Sequence, residues 1–477
     1  MKNVIDNIAT PQLTTDEYVD LVNRVYTWGY PLILMDLTKK ISTNTTGSVK
    51  DSALGKAPIN QVARVRATPT ADFTSVVKPN VDTYYTTSWL DLSDGPLVLE
   101  VPQTERYYLL PLLDAYSNIF ESIGTRTGYT EEKYFFFIKG PNHVDVNPQG
   151  NHQGRFHIIQ APTNMVWMLG RVEVKGYADG VKNVYPIQDK IQIVPYQYYG
   201  SSYTPPAGIT DSDNDNINPV EYIADMRMTA FFSQMAELMN DNPPADYDME
   251  IVQQMKLIGI EKVDGKYQSF FSEEKLPTGV RLQTQTIPYS AGENWKAWYN
   301  SNNTAEIKNG WSIQIRGKGR YKDHYNLRAY QAYTGLGANL PEDAIYPTLT
   351  SGSYGSTLDS TKNYTLTFSK DALPPVHDES FWSLTVYNNN GYLVKNYLHR
   401  YALGSNTKAI QNEIDDGNVT IYIQAEKPDD DSALWLPITN MDDPGSATST
   451  EFSLTLRLYW PEDKALVWSP PELEEVE

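Results

Sequence analysis

The sequence predicts a mainly β protein with helical segments, and three observations carry that reading. Residues 351–477 contain four runs that alternate strictly between apolar and polar side chains, the period of a strand with one buried face. Residues 76–200 hold short apolar runs separated by Gly, Pro, Asn and Asp, the texture of a sandwich or barrel. Apolar residues recur at helical spacing near the N-terminus and again in the middle of the chain. The 477 residues divide into an N-terminal helical segment and loop (1–60), a first β domain (61–200), a helical and loop middle region (201–350) and a C-terminal β domain (351–477).

The first helix is expected to start at Thr14, which has capping-box spacing to Glu17. Tyr18, Leu21, Val22, Val25 and Trp28 then share one helical face. Gly29 and Pro31 should weaken or end it, since glycine is too free and proline lacks the N–H a helix interior needs. Residues 38–60, rich in Thr, Ser, Gly and Lys, read as a surface loop. Strands are expected at 97–102, 106–113, 134–140, 155–160 and 166–174, followed by a polar loop over 201–218. Asn218 and Pro219 suit a helix start, and Met228, Phe231, Phe232, Met235 and Met239 form its apolar stripe. Asn242, Pro243 and Pro244 stop it. Residues 249–259 read as a short helix, and 285–345 as helix with loops.

In the C-terminal domain the alternating sets are Tyr364, Leu366 and Phe368; Trp382, Leu384 and Val386; Val419, Ile421 and Ile423; and Phe452, Leu454, Leu456 and Leu458. One antiparallel sandwich should bury Leu384, Ile421 and Leu456 and turn Thr420 and Thr455 the other way.

Asp plus Glu outnumber Lys plus Arg by 59 to 39, a formal charge of −20. That excludes a general nucleic-acid binder and disfavours attachment to anionic lipid. Cysteine is absent, so thiol chemistry, disulfides and Cys-bound metals are excluded. Met1–Thr10 lacks the apolar run of a signal peptide, which makes a cytoplasmic location the default expectation. No apolar stretch approaches the ~18 residues of a membrane span. Asn44, Asn302, Asn363 and Asn418 sit in N-x-[ST] triplets, which matter only in a glycosylating secretory route.

Two stretches resemble known families. PNVDTYYTTSWLDLSDGPLVLEVP (79–102) with RYYLLPLLDAYSNIFESIGTRTG (106–128) is similar to the domain-of-unknown-function family 1254. FWSLTVYNNNGYLVKN (381–396), DDGNVTIYIQAEKP (415–428), WLP (435–437) and FSLTLRLYWPEDKALVWSPPEL (452–473) resemble its companion family 1214. The resemblance implies two β-sandwich or jelly-roll-like domains with helical segments before and between them, and no settled reaction. It also implies that exported relatives exist.

The densest polar cluster is Asn80, Asp82, Tyr84 and Tyr85, with Asp114 and Asn118 after the run 109–113. Pro79–Leu90 and Arg106–Asn118 look like adjoining strands, on which Asn80, Asp82 and Tyr84 would share a face and Asp114 could join them. Two close carboxylates resist joint ionisation, which supplies a proton donor and an acceptor. On that reading Asp82 and Asp114 are the catalytic pair, Asn80, Tyr84 and Asn118 orient substrate, and Arg126 binds an anionic group. The competing reading is that the aspartates tie local turns and Arg126 pairs with a structural carboxylate. Tyr387, Tyr422, Gln424, Arg457 and Tyr459 lie on polar strand faces that could bind sugars, or that the other domain could cover.

Metal and cofactor signals are at background. Asp211, Asp213 and Asp215 occupy calcium-loop positions 1, 3 and 5, but Asn216 and Tyr222 break the pattern. His152 and His157, five apart, are the best histidine pair, and HExxH, G-x-S-x-G and P-loop motifs are missing. No metal or cofactor is expected. The functional expectation is a hydrolase- or lyase-type enzyme acting on a small polar or glycan-like substrate by carboxylate acid–base chemistry. The alternative is a non-catalytic glycan-binding, surface or particle protein. Oligomeric state is not written in the sequence.

Overall fold

The structure, a computed structural model, describes residues 13–48, 55–74, 77–149, 154–215, 217–302, 304–350, 357–439 and 450–476. His152 and Asn216 lie outside the described residues.

The first β domain is a two-sheet sandwich. One sheet runs β1 (Ala63–Arg64), β2 (Thr83–Asp91), β8 (Met165–Glu173), β4 (Tyr108–Leu113), β5 (Ile119–Gly124). The other runs β7 (His157–Gln160), β6 (Tyr134–Lys139), β3 (Leu97–Val101), β9 (Gln192–Pro195). Alternate residues of each strand, among them Tyr84, Leu90, Leu97, Leu99, Leu110, Leu112, Phe136, Ile138, Val166 and Met168, meet between the sheets. Contrary to the sequence reading, β2 and β4 do not adjoin. Both pair antiparallel with β8, which separates them, while the chain between them crosses to the opposite sheet as β3. Short helices α2 (Tyr177–Asp179) and α3 (Tyr185–Lys190) connect β8 to β9.

A helical layer covers part of the outer face of the first sheet. It contains α1 (Thr15–Ser42), α4 (Pro219–Ala224), α5 (Met228–Asp241), α6 (Met249–Met255), α7 (Thr278–Ser301) and α8 (Tyr325–Gly335), with the hairpin β10 (Ile260–Val263) and β11 (Lys266–Ser269) packed into it. Trp89 and Trp167, direct cross-strand partners stacked at 4.9 Å, form the platform it packs on. The capping box at Thr14 is present, with Glu17 N donating to Thr14 Oγ1 and Thr14 N to Glu17 Oε2. Asn218 caps α4 through Val220 N and Glu221 N.

Helix α1 runs straight past Gly29 and Pro31 to Ser42, where the sequence suggested an end and then a loop. A helix-interior proline costs ~3 kcal/mol. Burial of Trp28, Tyr30, Leu32, Ile33, Leu34 and Met35, at about 1.5–3 kcal/mol each, outweighs it. Arg328 Nη2 donates to Trp28 O (3.2 Å), about one turn before Pro31. Gly29 serves packing: a Cβ there would stand 2.3 Å from Met235 Sδ on α5.

The C-terminal domain is a second sandwich. One sheet runs β12 (Glu306–Lys308), β13 (Trp311–Ile313), β15 (Thr348–Leu349), β21 (Phe452–Tyr459), β17 (Trp382–Asn388), β18 (Ala402–Gly404), with β14 (Ala344–Ile345) also on β21. Its strands thus begin before residue 351. The other runs β20 (Leu434–Pro437), β19 (Val419–Gln424), β16 (Asn363–Phe368), β22 (Glu474–Val476), with α9 (Lys408–Asp416) leading into β19. The four alternating runs are β16, β17, β19 and β21, and their apolar members, Leu384, Ile421 and Leu456 included, make the core.

The polar faces differ. Thr420 on β19 faces outward beside Thr367. Thr455 on β21 is buried, as is every residue of that strand, because the first domain covers its polar side. Tyr107, Leu109, Ala344, Phe381 and Tyr459 form the apolar part of that junction.

Candidate functional site

The polar part of the junction gathers unusual charge. Residues 78–82, entering β2, lie against the covered face of β17 and β21. Asp82, 8% exposed, accepts from Ser383 Oγ (2.6 Å), and its backbone N–H donates to Asn80 Oδ1 (2.7 Å). Asn80 Nδ2 donates to Thr83 Oγ1 (2.9 Å) and to the Tyr459 hydroxyl (3.0 Å). The buried Arg457 guanidinium donates to Thr385 Oγ1 (2.6 Å), Lys78 O (3.2 Å) and the Tyr387 hydroxyl, and Tyr387 donates to Pro79 O (2.8 Å). Burial raises the Asp82 carboxyl above its ordinary range, while the Arg457 charge and the Ser383 hydroxyl pull it back.

Arg171 is the second cation. It stands on the outer face of β8, directly across from Tyr85 on β2 and Leu109 on β4, with its guanidinium 5.4 Å from the Tyr85 ring centroid. It is 5% exposed, its Nε has no partner, and Nη2 reaches only Leu169 O at 3.5 Å. Burial weakens its charged form, and the phenols of Tyr85, Tyr346, Tyr459 and Tyr107 outweigh that, so its net shift is upward. Glu173, two positions on, is taken by Arg106 (3.5 Å), Lys175 (3.7 Å) and Asn406 (2.9 Å).

Two lysines complete the cluster. Lys318, on the segment between β13 and α8, is half-buried with its ammonium 5.1 Å from the Tyr346 ring centroid. Burial and the charge of Lys78 push Lys318 down to about 8. Lys78 is exposed at the edge of the junction, and the surrounding protein and the charge of Arg457 push it down to about 8. Lys318, Tyr346 and Tyr85 keep accessible surface, yet protein surrounds Lys318 closely enough to desolvate it. Tyr346 accepts from Asn339 Nδ2 (2.6 Å).

Of the residues singled out in the sequence, this buried junction brings together Asn80, Asp82, Tyr387 and Arg457. It does not bring Asp114. Asp82 sits at the level of Val174 on β8, Asp114 one step beyond Leu113, which pairs with Trp167. Eight residues of strand separate the two levels, about 26 Å. The expected carboxylate pair is therefore not formed, because β8 lies between the two strands, and Asp82 precedes β2 whereas Asp114 follows β4, at opposite ends of the sheet.

Asp114 ties a local turn instead: its Oδ1 accepts from Tyr116 N (2.9 Å) and Asn118 N (2.9 Å). Burial raises it to about 6, opposed by those bonds and by Arg328. Asn118 donates to Asp114 and accepts from Tyr321 N (3.0 Å), joining the turn to the middle region. Tyr84 points into the sandwich core beside Tyr185, away from Asp82. Arg126 pairs with the buried Asp343 (2.5 Å), which also accepts from Ser122 Oγ (2.6 Å). Tyr422 lies on β19, in the other sheet from Tyr387 and Arg457, so these three form no common platform.

Arg171, Lys78, Lys318, Tyr346 and Ser383 were not singled out by sequence reasoning. The one available signal was Arg171, a lone charge inside the strand run VWMLGRVEV. The acidic loop binds locally: Asp211 accepts from Asp213 N (3.0 Å), and Asp215 from Asn44 Nδ2 (2.8 Å). Among the described residues no group of three or more His, Cys, Asp or Glu could hold a metal ion. No helix among them is long and apolar enough to cross a membrane.

A separate cavity of about 690 Å³ on the C-terminal sandwich is lined by residues including Pro374, His377, Trp382, Glu462 and Trp468. None of its lining side chains is a buried polar group left without a partner.

Residues 59–195 match the family described as Protein of unknown function (DUF1254), and residues 343–463 that described as Protein of unknown function (DUF1214). The chain carries the two in tandem, N- to C-terminal. Its structure is similar to the crystal structure of the VPA0106 protein from Vibrio parahaemolyticus, with a TM-score of 0.64 and 19% identity over 97% of this chain and 100% of that one. The two share a fold. An uncharacterised protein from Burkholderia cenocepacia aligns at a TM-score of 0.41 and 12% identity, over 97% of this chain and 94% of that one. No curated protein matches the chain.

Proposed function

We propose that the junction between the two sandwiches holds a crevice that binds a small organic anion, a carboxylate by preference, and that the protein acts on that molecule. One observation carries the reading: Arg171 is almost wholly buried without a carboxylate to pair with. A desolvated, unpaired cation costs several kcal/mol, and an incoming anion repays it. Arg457, Lys78 and Lys318 add three more cations, against Asp82 as the carboxylate of the cluster. This local excess stands in a chain of net charge −20, so it is no by-product of composition.

Asp82 supports the enzyme reading over simple binding. Burial holds its carboxyl toward the protonated form, which suits a group that gives and takes a proton. It would act singly, with the Tyr459 phenol as a neighbour, in place of the paired-carboxylate mechanism. The crevice also gives the tandem a reason. Asp82 and Arg171 come from the first matched segment, Ser383, Arg457 and Tyr459 from the second, and Lys318 from between them.

The test is a melting-temperature panel of small mono- and dicarboxylates, inorganic phosphate and the matching neutral amides. The carboxylates should stabilise, by about 2.7 kcal/mol at a hundredfold excess over Kd, and the amides should not. A panel in which no anion shifts the transition, or acids and amides act alike, refutes the proposal.

A further inference from the structure

We propose that the helical layer encloses a binding site for one water molecule, hydrogen-bonded between the hydroxyls of Tyr26 and Tyr30, and that this water is part of the fold. The site lies apart from the anion crevice and stands or falls without it.

A cavity of about 20 Å³ lies where α1, α4, α7 and α8 meet, with Tyr26, Tyr30, Pro288, Gly292, Trp295 and Tyr333 among its lining. One water needs about 10–15 Å³, so the space holds one. Tyr26 and Tyr30 are four apart on α1 and share a face, with ring centroids 6.2 Å apart. They are 1% and 3% exposed, and neither hydroxyl reaches a hydrogen-bond partner in the protein. A buried hydroxyl left unmet is costly, so such groups pair with protein or, where protein does not serve, with ordered water. Here two unmet hydroxyls line the same cavity, which separates it from the dry cavities that apolar side chains enclose.

The walls leave the two hydroxyls to each other and to an occupant. Trp295 packs on the Tyr30 ring at 4.6 Å, but its indole N–H is committed to Thr27 Oγ1 (3.2 Å). Tyr333, half-buried, lies over Gly292, where a Cβ would collide with its ring. Among the described residues no carboxylate lines the cavity, and the Lys296 ammonium stands 5.5 Å from the Tyr333 ring centroid. Both facts disfavour a cation among these rings and favour a neutral molecule. Burial raises both phenols, so each keeps its proton, and water can accept from one while donating to the other.

The test uses the full chain. A high-resolution crystal structure should show one density peak within hydrogen-bond distance of both hydroxyls. Tyr26→Phe and Tyr30→Phe should each lower the melting transition by about 2–4 °C, since each strips the water of a partner. The double variant should melt no lower than the less stable single, because an apolar cavity sheds the water and strands neither hydroxyl. A dry cavity gives the opposite sign: removing an unmet hydroxyl leaves the transition in place or raises it. That result, or a map without density between the hydroxyls, overturns the proposal. Additive losses in the double variant also overturn it, for the two hydroxyls are then met separately. If ammonium chloride raises the transition of the parent but not of the double variant, and sodium chloride raises neither, the occupant is a cation and the water is wrong.

Discussion

Arg171→Met sets the cost of an unpaired cation against the little that holds it. In the free protein the guanidinium keeps a contact with the Tyr85 ring at 5.4 Å, worth about 1 kcal/mol, and a long bond to its own strand at Leu169. Against that stands the desolvation of a cation that is 5% exposed, several kcal/mol after relaxation. Methionine is unbranched and fills irregular space, so the packing loss is small. The difference predicts a free protein more stable by about 1–3 kcal/mol. For a cooperative unit of ~200 residues that is a rise in Tm of roughly 2–10 °C. The same change removes a charge-assisted hydrogen bond to the ligand, about 1.5–3 kcal/mol, and weakens the anion by roughly 10- to 150-fold. Scanning calorimetry at low salt, with and without the best anion of the panel, reads both numbers from one pair of samples. A structural arginine behaves in the opposite way. If the variant melts lower than the parent, or binds the anion as tightly, the argument from Arg171 is refuted.

Two further changes probe the frame. Asp114, raised by burial to about 6, binds its proton more tightly in the folded state than in the unfolded one. Its share of stability is therefore full below about pH 4 and lost as pH rises through 6, roughly 3 kcal/mol in all. Asp114→Asn should flatten that part of a urea-midpoint curve against pH, and an unaltered slope assigns the proton to another group. Gly29→Ala should destabilise by about 1–3 kcal/mol, since the new Cβ meets Met235 Sδ at 2.3 Å. Met235→Ala should restore part of the loss in the double variant, whereas strictly additive costs would mean that α1 and α5 simply move apart.

Strand interiors were legible because alternation encodes burial directly: the inward residues of β16, β17, β19 and β21 are the ones their period selects. The same period cannot say what an outward face meets. Thr420 and Thr455 occupy equivalent places in their runs, and one faces outward while the other is sealed under a second domain. Local rules misplaced the end of α1, since the penalties at Gly29 and Pro31 are set in isolated helices and were overridden by a buried crossing with α5. The site was half legible. Asn80 and Asp82 belong to a dense polar motif and do reach the crevice. Asp114 was joined to them by assuming that strands close in sequence are close in space, which the insertion of β8 defeats. Lys318 carried no signal, because a single cation between two elements looks like any surface residue.

The crevice also has a timetable. Asp82 and Ser383 are 301 residues apart, and Asn80 and Tyr459 are 379. At about 5–20 residues per second, a ribosome delivers Ser383 roughly 15–60 s after Asp82. The first sandwich can complete its own core in that interval, yet Tyr107 and Leu109 must wait uncovered until Phe381 and Tyr459 emerge. Nascent chains halted before residue 380 would therefore display an apolar strip beside unpaired polar groups. Such a half-made protein is a client for holding chaperones, and translation pauses in this window would be expected to lower the yield of folded product.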